Sequence, residues 1–169
     1  MPRYELRPLS AADGEDVYAL LQALPAEETG FMNSAAGMSY DDYKSWLVKQ
    51  AANAKKTQIE DGWRVPSGTW WFCVDGRPVG MAKLRYFLTD KLREEGGHLG
   101  YAIAPDARGH GYAAMMVEAM KSIAAAKGIE HLLSTVHNDN PASIRTALKC
   151  GGRIVRVSEA RHYIEIPCK

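Results

Sequence analysis

The spacing of apolar residues changes period several times along the chain. Tyr4 to Leu9 alternates, which predicts a short strand. Val17, Leu20, Leu21 and Leu24 then recur at helical spacing, with Ser10 set as the helix cap, Asp13 three residues on, and Pro25 ending the run. Residues 26–38 hold Gly30, Gly37 and few aliphatics, and predict a mobile loop. Ser39 is read as the cap of a second helix, with Tyr43, Trp46, Leu47, Ala51 and Ala54 on its apolar face and Gly62 as its stop.

From Thr69 the period falls to two. Trp70 to Val74 and Val79 to Phe87 predict a hairpin about Asp75-Gly76-Arg77-Pro78. A charged loop, Asp90 to Gly97, precedes a strand His98–Ala104. A third helix opens at 109–112, buries Ala113, Met116, Val117, Met120, Ile123 and Ala124, and ends at Gly128. Strand Glu130–Val136, a helix from Pro141 to Lys149, and strands near Arg153–Val157 and His162–Ile166 complete the pattern. The order β-α-α-β-β-β-α-β-α-β-β makes this an α/β (α+β) protein, a mixed central sheet flanked by about four helices. The unit over 98–136 is expected to be parallel and right-handed. With 169 residues and no repeat, linker or low-complexity tract, one domain over 1–169 is expected.

Composition narrows the function classes. Twenty-one basic residues against 20 acidic leave a net charge of +1, which argues against nucleic acid or an anionic membrane as the main partner. Cys73, Cys150 and Cys168 lie far apart and form no metal-ligand spacing, so free thiols and no metal are expected. No signal-peptide core follows Met1, and no run of about 18 apolar residues occurs, so a cytoplasmic location is expected.

The chemistry concentrates in Leu99-Gly-Tyr-Ala-Ile-Ala-Pro-Asp-Ala-Arg-Gly-His-Gly-Tyr-Ala113, where a strand runs through a proline turn into glycines that open a helix. Gly109 and Gly111 let backbone N–H groups approach a ligand, the helix N-terminus adds partial positive charge, and Arg108 adds a fork of donors suited to phosphate oxygens. Together these make a pyrophosphate cradle. Residues 109–114 also fit G-x-G-x-x-A, the dinucleotide fingerprint, with Asp139 past the next strand. Too little chain follows Ala114 to supply the remaining parallel strands of a nicotinamide-binding sheet.

The stretch resembles the central motif of the GNAT acetyltransferases, Arg/Gln-x-x-Gly-x-Gly/Ala, at Arg108, Gly111 and Ala113. The run from Asn138 to Gly152 resembles that family's next motif, with Asn140 and Ser143 at the matching positions. Residues 65–102, including Arg85 and Gly96-Gly97-His98-Leu99-Gly100-Tyr101, resemble a bacterial subgroup of predicted acetyltransferases. The resemblance implies the GNAT acyl-CoA acyltransferase fold and an N-acetyltransferase that moves the acetyl group of acetyl-CoA to a primary amine of a small molecule or peptide in a ternary complex. It further implies that coenzyme A lies between two splayed strands. Ile103 and Ala104 would then hold the pantetheine arm, Arg108, Gly109, His110, Gly111, Tyr112 and Ala113 the pyrophosphate, and Asn140 with Ser143 the far side. A backbone N–H near Ile103 would stabilise an oxyanion.

Further roles follow from chemistry. His98 is the first candidate for the base, with Glu95 and Glu94 as alternatives. The tyrosine that many relatives carry four residues after the motif serine is here Ala147, so Tyr101, Tyr112 or water is left to protonate the thiolate. Arg85 is a candidate for an acceptor carboxylate, and Trp70, Trp71 and Tyr86 for an acceptor pocket. A non-catalytic acyl-CoA sensor is the competing function. Dimers are common in the family, and the final strands are where two copies would pair.

Overall fold

In the computed structural model, residues 1–55 and 62–169 are described. Strand β1 (Tyr4–Pro8) pairs with β4 (Ser67–Val74), β4 with β5 (Arg77–Arg85), and β5 with β6 (Leu99–Ile103), giving a four-stranded sheet ordered β1-β4-β5-β6. A separate three-stranded sheet is ordered β7-β9-β8, from β7 (His131–His137), β8 (Arg153–Val157) and β9 (Arg161–Pro167). A short hairpin, β2 (Glu27–Glu28) and β3 (Phe31–Met32), stands apart. The helices are α1 (Glu15–Ala23), α2 (Tyr40–Asn53), α3 (Asp90–Glu94), α4 (Tyr112–Ala126) and α5 (Pro141–Lys149).

Every ladder is antiparallel, so the mixed sheet expected from the sequence is two sheets. The cause lies between β6 and β7. At the start of β6 the His98 N–H donates to the Leu133 carbonyl at 2.8 Å, and the Leu133 N–H returns a bond to His98 Nδ1 at 2.9 Å. Beyond this clasp β6 and β7 form no ladder, and a cleft opens between them.

The β4–β5 hairpin turns on Asp75 and Gly76, both at positive φ (50° and 82°), the geometry that a two-residue Asp-Gly hairpin turn demands. Ser39 caps α2 as expected, accepting from the Asp42 N–H. Ser10 does not cap α1. Its N–H donates to Asp13 Oδ2, which also receives Trp71 Nε1, so both polar residues are spent on a turn and α1 begins later, after Gly14. Helix α2 ends at Asn53: its buried face ends at Leu47 and none of residues 48–55 is buried, so nothing there repays helix formation, and residues 56–61 of the expected run to Gly62 lie outside the described residues.

The segment read as a mobile loop is built. Asn33, 2% exposed, donates to the carbonyls of Leu21 and Leu24 and so satisfies the last turn of α1, and the β2–β3 hairpin projects from that anchor. One core, with Trp71, Tyr43, Leu21, Leu47, Met116, Met120, Leu132 and Ile164 buried in it, fixes the helices against both sheets. Among the described residues no helix is long and apolar enough to cross a membrane.

Candidate functional site

The splay of β6 from β7 leaves a cleft of about 1320 Å³. It is walled by β6, by Ser134–His137 of β7, by the start of α4, by the exposed side of α5, by the end of β5 and by the β2–β3 hairpin.

The start of α4 is the electrostatic centre. Gly109 and Gly111 sit at φ of 87° and 78°, a region that costs any L side chain, and Gly111 is the residue that opens the helix. A Cβ at either position would meet nothing within 4 Å, so the loop is held clear of the rest of the chain. Helices α2, α3 and α5 each carry a capping side chain (Ser39, Thr89, Asn140). Helix α4 has none, and its first turn contains no acidic residue. Gly111, Tyr112, Ala113 and Ala114 face the cleft, so uncapped amides and the positive end of the helix dipole meet open space.

Arg108 stands at the edge of this cradle. Its Nε donates to the Ile103 carbonyl at 3.1 Å, and its Nη2 meets Glu28 Oε1 of the hairpin at 2.5 Å. On the opposite wall Asn140 caps α5 through the Ser143 N–H, while its Nδ2 donates to Ser143 Oγ and to Thr29 Oγ1 of the same hairpin. The hairpin therefore crosses the cleft, bonded to both walls.

The remaining sequence candidates separate. Ile103, Tyr112, Ala113 and Ser143 line the cleft, as do Arg108, Gly109, Gly111 and Asn140. Ala104 does not, and its N–H is spent on the Val79 carbonyl. The His110 ring stacks on Tyr112 outside the cleft, so only its backbone belongs to the loop. Trp70 and Tyr86 are absent from the lining, because strand alternation turns them to the face where both pack over Gly68 and Lys127 sits on the Tyr86 ring. Trp71 is fully buried in the core.

His98 is outside the lining, and its Nδ1 lone pair is taken by the Leu133 N–H. Burial first, then Arg93 and Arg85, lower its pKa to about 4, so the ring is neutral and joins the two sheets. Glu94 is exposed and paired with Arg156. Glu95 lines the cleft and pairs with Arg161 at 3.3 Å. Tyr101 lines it too, as do Ser143 and Thr146 of α5, and burial raises its pKa.

Sequence reasoning missed the hairpin, whose Glu28 and Thr29 bridge the walls, and Lys83, which lines the cleft beside Arg85. The signal for Lys83 was present: it is the one charged residue in the run Val79 to Leu84 of an otherwise apolar strand. Among the described residues no group of three or more His, Cys, Asp and Glu could hold a metal ion.

A family model described as Acetyltransferase (GNAT) domain matches residues 3–153. Among curated proteins, none matches significantly. Among solved structures, the GNAT domain of S. lividans PAT is 15% identical, with 97% of this chain and 90% of that one covered at a TM-score of 0.66. The yncA protein of Salmonella typhimurium, solved with its cofactor acetyl-CoA, is 13% identical over 99% of this chain and 95% of that one, at a TM-score of 0.64. A spermidine N-acetyltransferase chimera of SpeG from Vibrio cholerae and hSSAT is 14% identical over 98% and 95%, also at 0.64. At these identities the likeness is one of fold.

Proposed function

The chain belongs to the GNAT acetyltransferase family, and on that premise we propose that residues 1–169 act as one N-acetyltransferase domain, passing the acetyl group of acetyl-CoA directly to a primary amine in a ternary complex. The observation that carries this reading is the uncapped N-terminus of α4, opened by two positive-φ glycines onto a cleft between two strands. The likeness in fold to a protein solved with acetyl-CoA supports the same reading.

Acetyl-CoA supplies the activated thioester. The amides of 111–114 would hold its pyrophosphate, with Arg108 released from Glu28 to join them, and Asn140 with Ser143 would border it on the α5 side. Arg145 and Lys149 add two cations to the same α5 wall. An alkylammonium with a pKa of about 10.4 is nucleophilic in only about one molecule in 10³ at neutral pH, so a proton acceptor in the cleft lowers the barrier. Glu95, once released from Arg161, is the cleft carboxylate that would take this proton, directly or through one water; the ring of His98 is engaged elsewhere. The Tyr101 hydroxyl, which lines the cleft, is the donor available to return a proton to the departing thiolate. A homodimer would use β8, an outer strand with Ile154, Val155 and Val157 exposed.

Isothermal titration with acetyl-CoA and, separately, NAD tests the reading. Acetyl-CoA binding with NAD silent, followed by thiol release with an amine, is expected. A folded protein that does not bind acetyl-CoA would overturn it.

A further inference from the structure

At the end of β5, Lys83 and Arg85 stand two residues apart and so share one face of the strand. Both line the cleft. Lys83 lies opposite Gly100 in the β5–β6 register, so no side chain on β6 covers it, and Phe31 of the hairpin lies over Gly100 on that same face. Arg85 donates from Nη1 to the Gly96 and Gly97 carbonyls at 3.4 and 3.2 Å. Among the described residues neither cation has a carboxylate partner, and the Lys83 ammonium has no hydrogen bond. The carboxylates in the same cleft are committed: Glu28 to Arg108, Glu95 to Arg161, and Glu27 to the Gly30 N–H.

A lysine and an arginine on one strand face, mostly withdrawn from water and with no carboxylate partner among the described residues, are costly to fold. That cost is visible at Lys83, whose pKa is pushed down by burial and then by the neighbouring Arg85. Arg108 and the α4 cradle lie at the other end of β6, so this pair is separate from the pyrophosphate site.

Resting on the acetyltransferase reading above, we infer that Lys83 and Arg85 form the anion-binding floor of the acceptor pocket, so that the amine acetylated carries a carboxylate or a phosphate. Arg85, already fixed by two glycine carbonyls, presents its remaining donors as a fork, and Lys83 adds a point charge beside it. The same pair repels polyamines and other acceptors that bring a second cation.

The test is thiol release from acetyl-CoA with a series of ω-amino carboxylates, their neutral amides and the matching diamines, together with O-phosphoethanolamine and ethanolamine. The anionic members are expected to exceed their amides and diamines in kcat/KM by about tenfold or more. The carboxylate and phosphate arms tell which anion is taken. Lys83→Met, which keeps length and removes charge, is expected to raise KM for the preferred anion by a similar factor while kcat and acetyl-CoA affinity stay within about twofold. Amides or diamines turned over as well as the anions would overturn the proposal, and so would a Lys83→Met variant that lowers kcat with KM unchanged. If no amine in the series reacts, the amide resonances of β5 and β6 are followed while glutarate or inorganic phosphate is titrated at millimolar concentration. Shifts about Gly100 that vanish in Lys83→Met support the anion site, and their absence overturns it. Acetyl-CoA titration of the same sample reports separately on the cofactor reading.

Discussion

The two ends of the cleft are made of different material. At the α4 end the wall is backbone: two glycines at positive φ, a helix start without a capping side chain, and an open volume in front of them. At the β5 end it is side chain: Lys83, Arg85, Glu95, Tyr101 and the hairpin residues, brought together from four separate segments. On the function proposed above, a backbone cradle suits a group that every turnover presents unchanged, the pyrophosphate of the cofactor. A side-chain wall suits whatever varies, and here Lys83 and Arg85 have no carboxylate partner among the described residues.

The sharpest way to break this comparison is at Gly111. Gly111→Val would force a β-branched residue to φ near 78° and set its side chain in the open space before α4. Acetyl-CoA affinity is expected to fall by about a hundredfold or more, with a stability cost of about 1–2 kcal/mol. Gly128, at φ 83° with equally open surroundings but at the far end of α4, is the control. Gly128→Ala should cost about 1 kcal/mol in thermal unfolding and leave the titration unchanged. Equal loss of binding in both variants would mean that strain, not the cradle, is being read.

Tyr101 tests the other end. Tyr101→Phe removes one hydroxyl from the cleft wall and leaves the ring in place. A fall in kcat of about ten- to a hundredfold with acetyl-CoA binding within about twofold is expected, measured by thiol release under saturating cofactor. An unchanged kcat would assign thiolate protonation to solvent.

The same contrast explains which features the sequence disclosed. Backbone-built recognition leaves a local signature, because glycines, a preceding strand and a following helix must be consecutive. The loop at 108–113 and the α5 start at Asn140 were therefore legible. So were the hairpin at Asp75-Gly76 and nearly all of the strands, whose periods are local too. The side-chain wall at the β5 end has no such signature. Trp70 and Tyr86 were plausible pocket residues until β-strand alternation put them on the opposite face from Lys83 and Arg85. His98 was read as a base from its residue type, but only the approach of β7 shows its Nδ1 accepting from Leu133. The hairpin at 27–32 escaped because Asn33, a polar residue in a glycine-containing stretch, is buried against the end of α1.

The His98 clasp gives a stability prediction with a definite sign. Its folded pKa, about 4, lies below the ordinary histidine value, so the unfolded chain binds the extra proton between about pH 6.5 and 4. The clasp's contribution is present above that window and lost as pH falls through it. Discounted for partial exposure, the loss is on the order of 1–2 kcal/mol. His98→Asn keeps an acceptor for the Leu133 N–H and cannot titrate. Its denaturant midpoint should vary less with pH across the window than the parent's. Parallel pH curves for the two proteins would show that His98 is not neutral in the folded state, and would restore it as a candidate base.

The smallest expected effect lies where the two ends meet, at the hairpin. Glu28 holds Arg108 in an ion pair whose side chains are 42% and 44% exposed, a setting in which such pairs are worth about 0.2–1 kcal/mol. Pyrophosphate in the cradle would compete with Glu28 for the same fork. Glu28→Gln removes the competitor, while Thr29 keeps its bond to Asn140 and the hairpin keeps its anchor at Asn33. Acetyl-CoA affinity should rise by about two- to fivefold at low salt, and the gain should shrink as salt screens the pair. A loss of affinity instead would mean that the Glu28–Arg108 bond is part of the bound state. The backbone end would then depend on a side chain borrowed from the acceptor end, and the division between the two would hold only in the free protein.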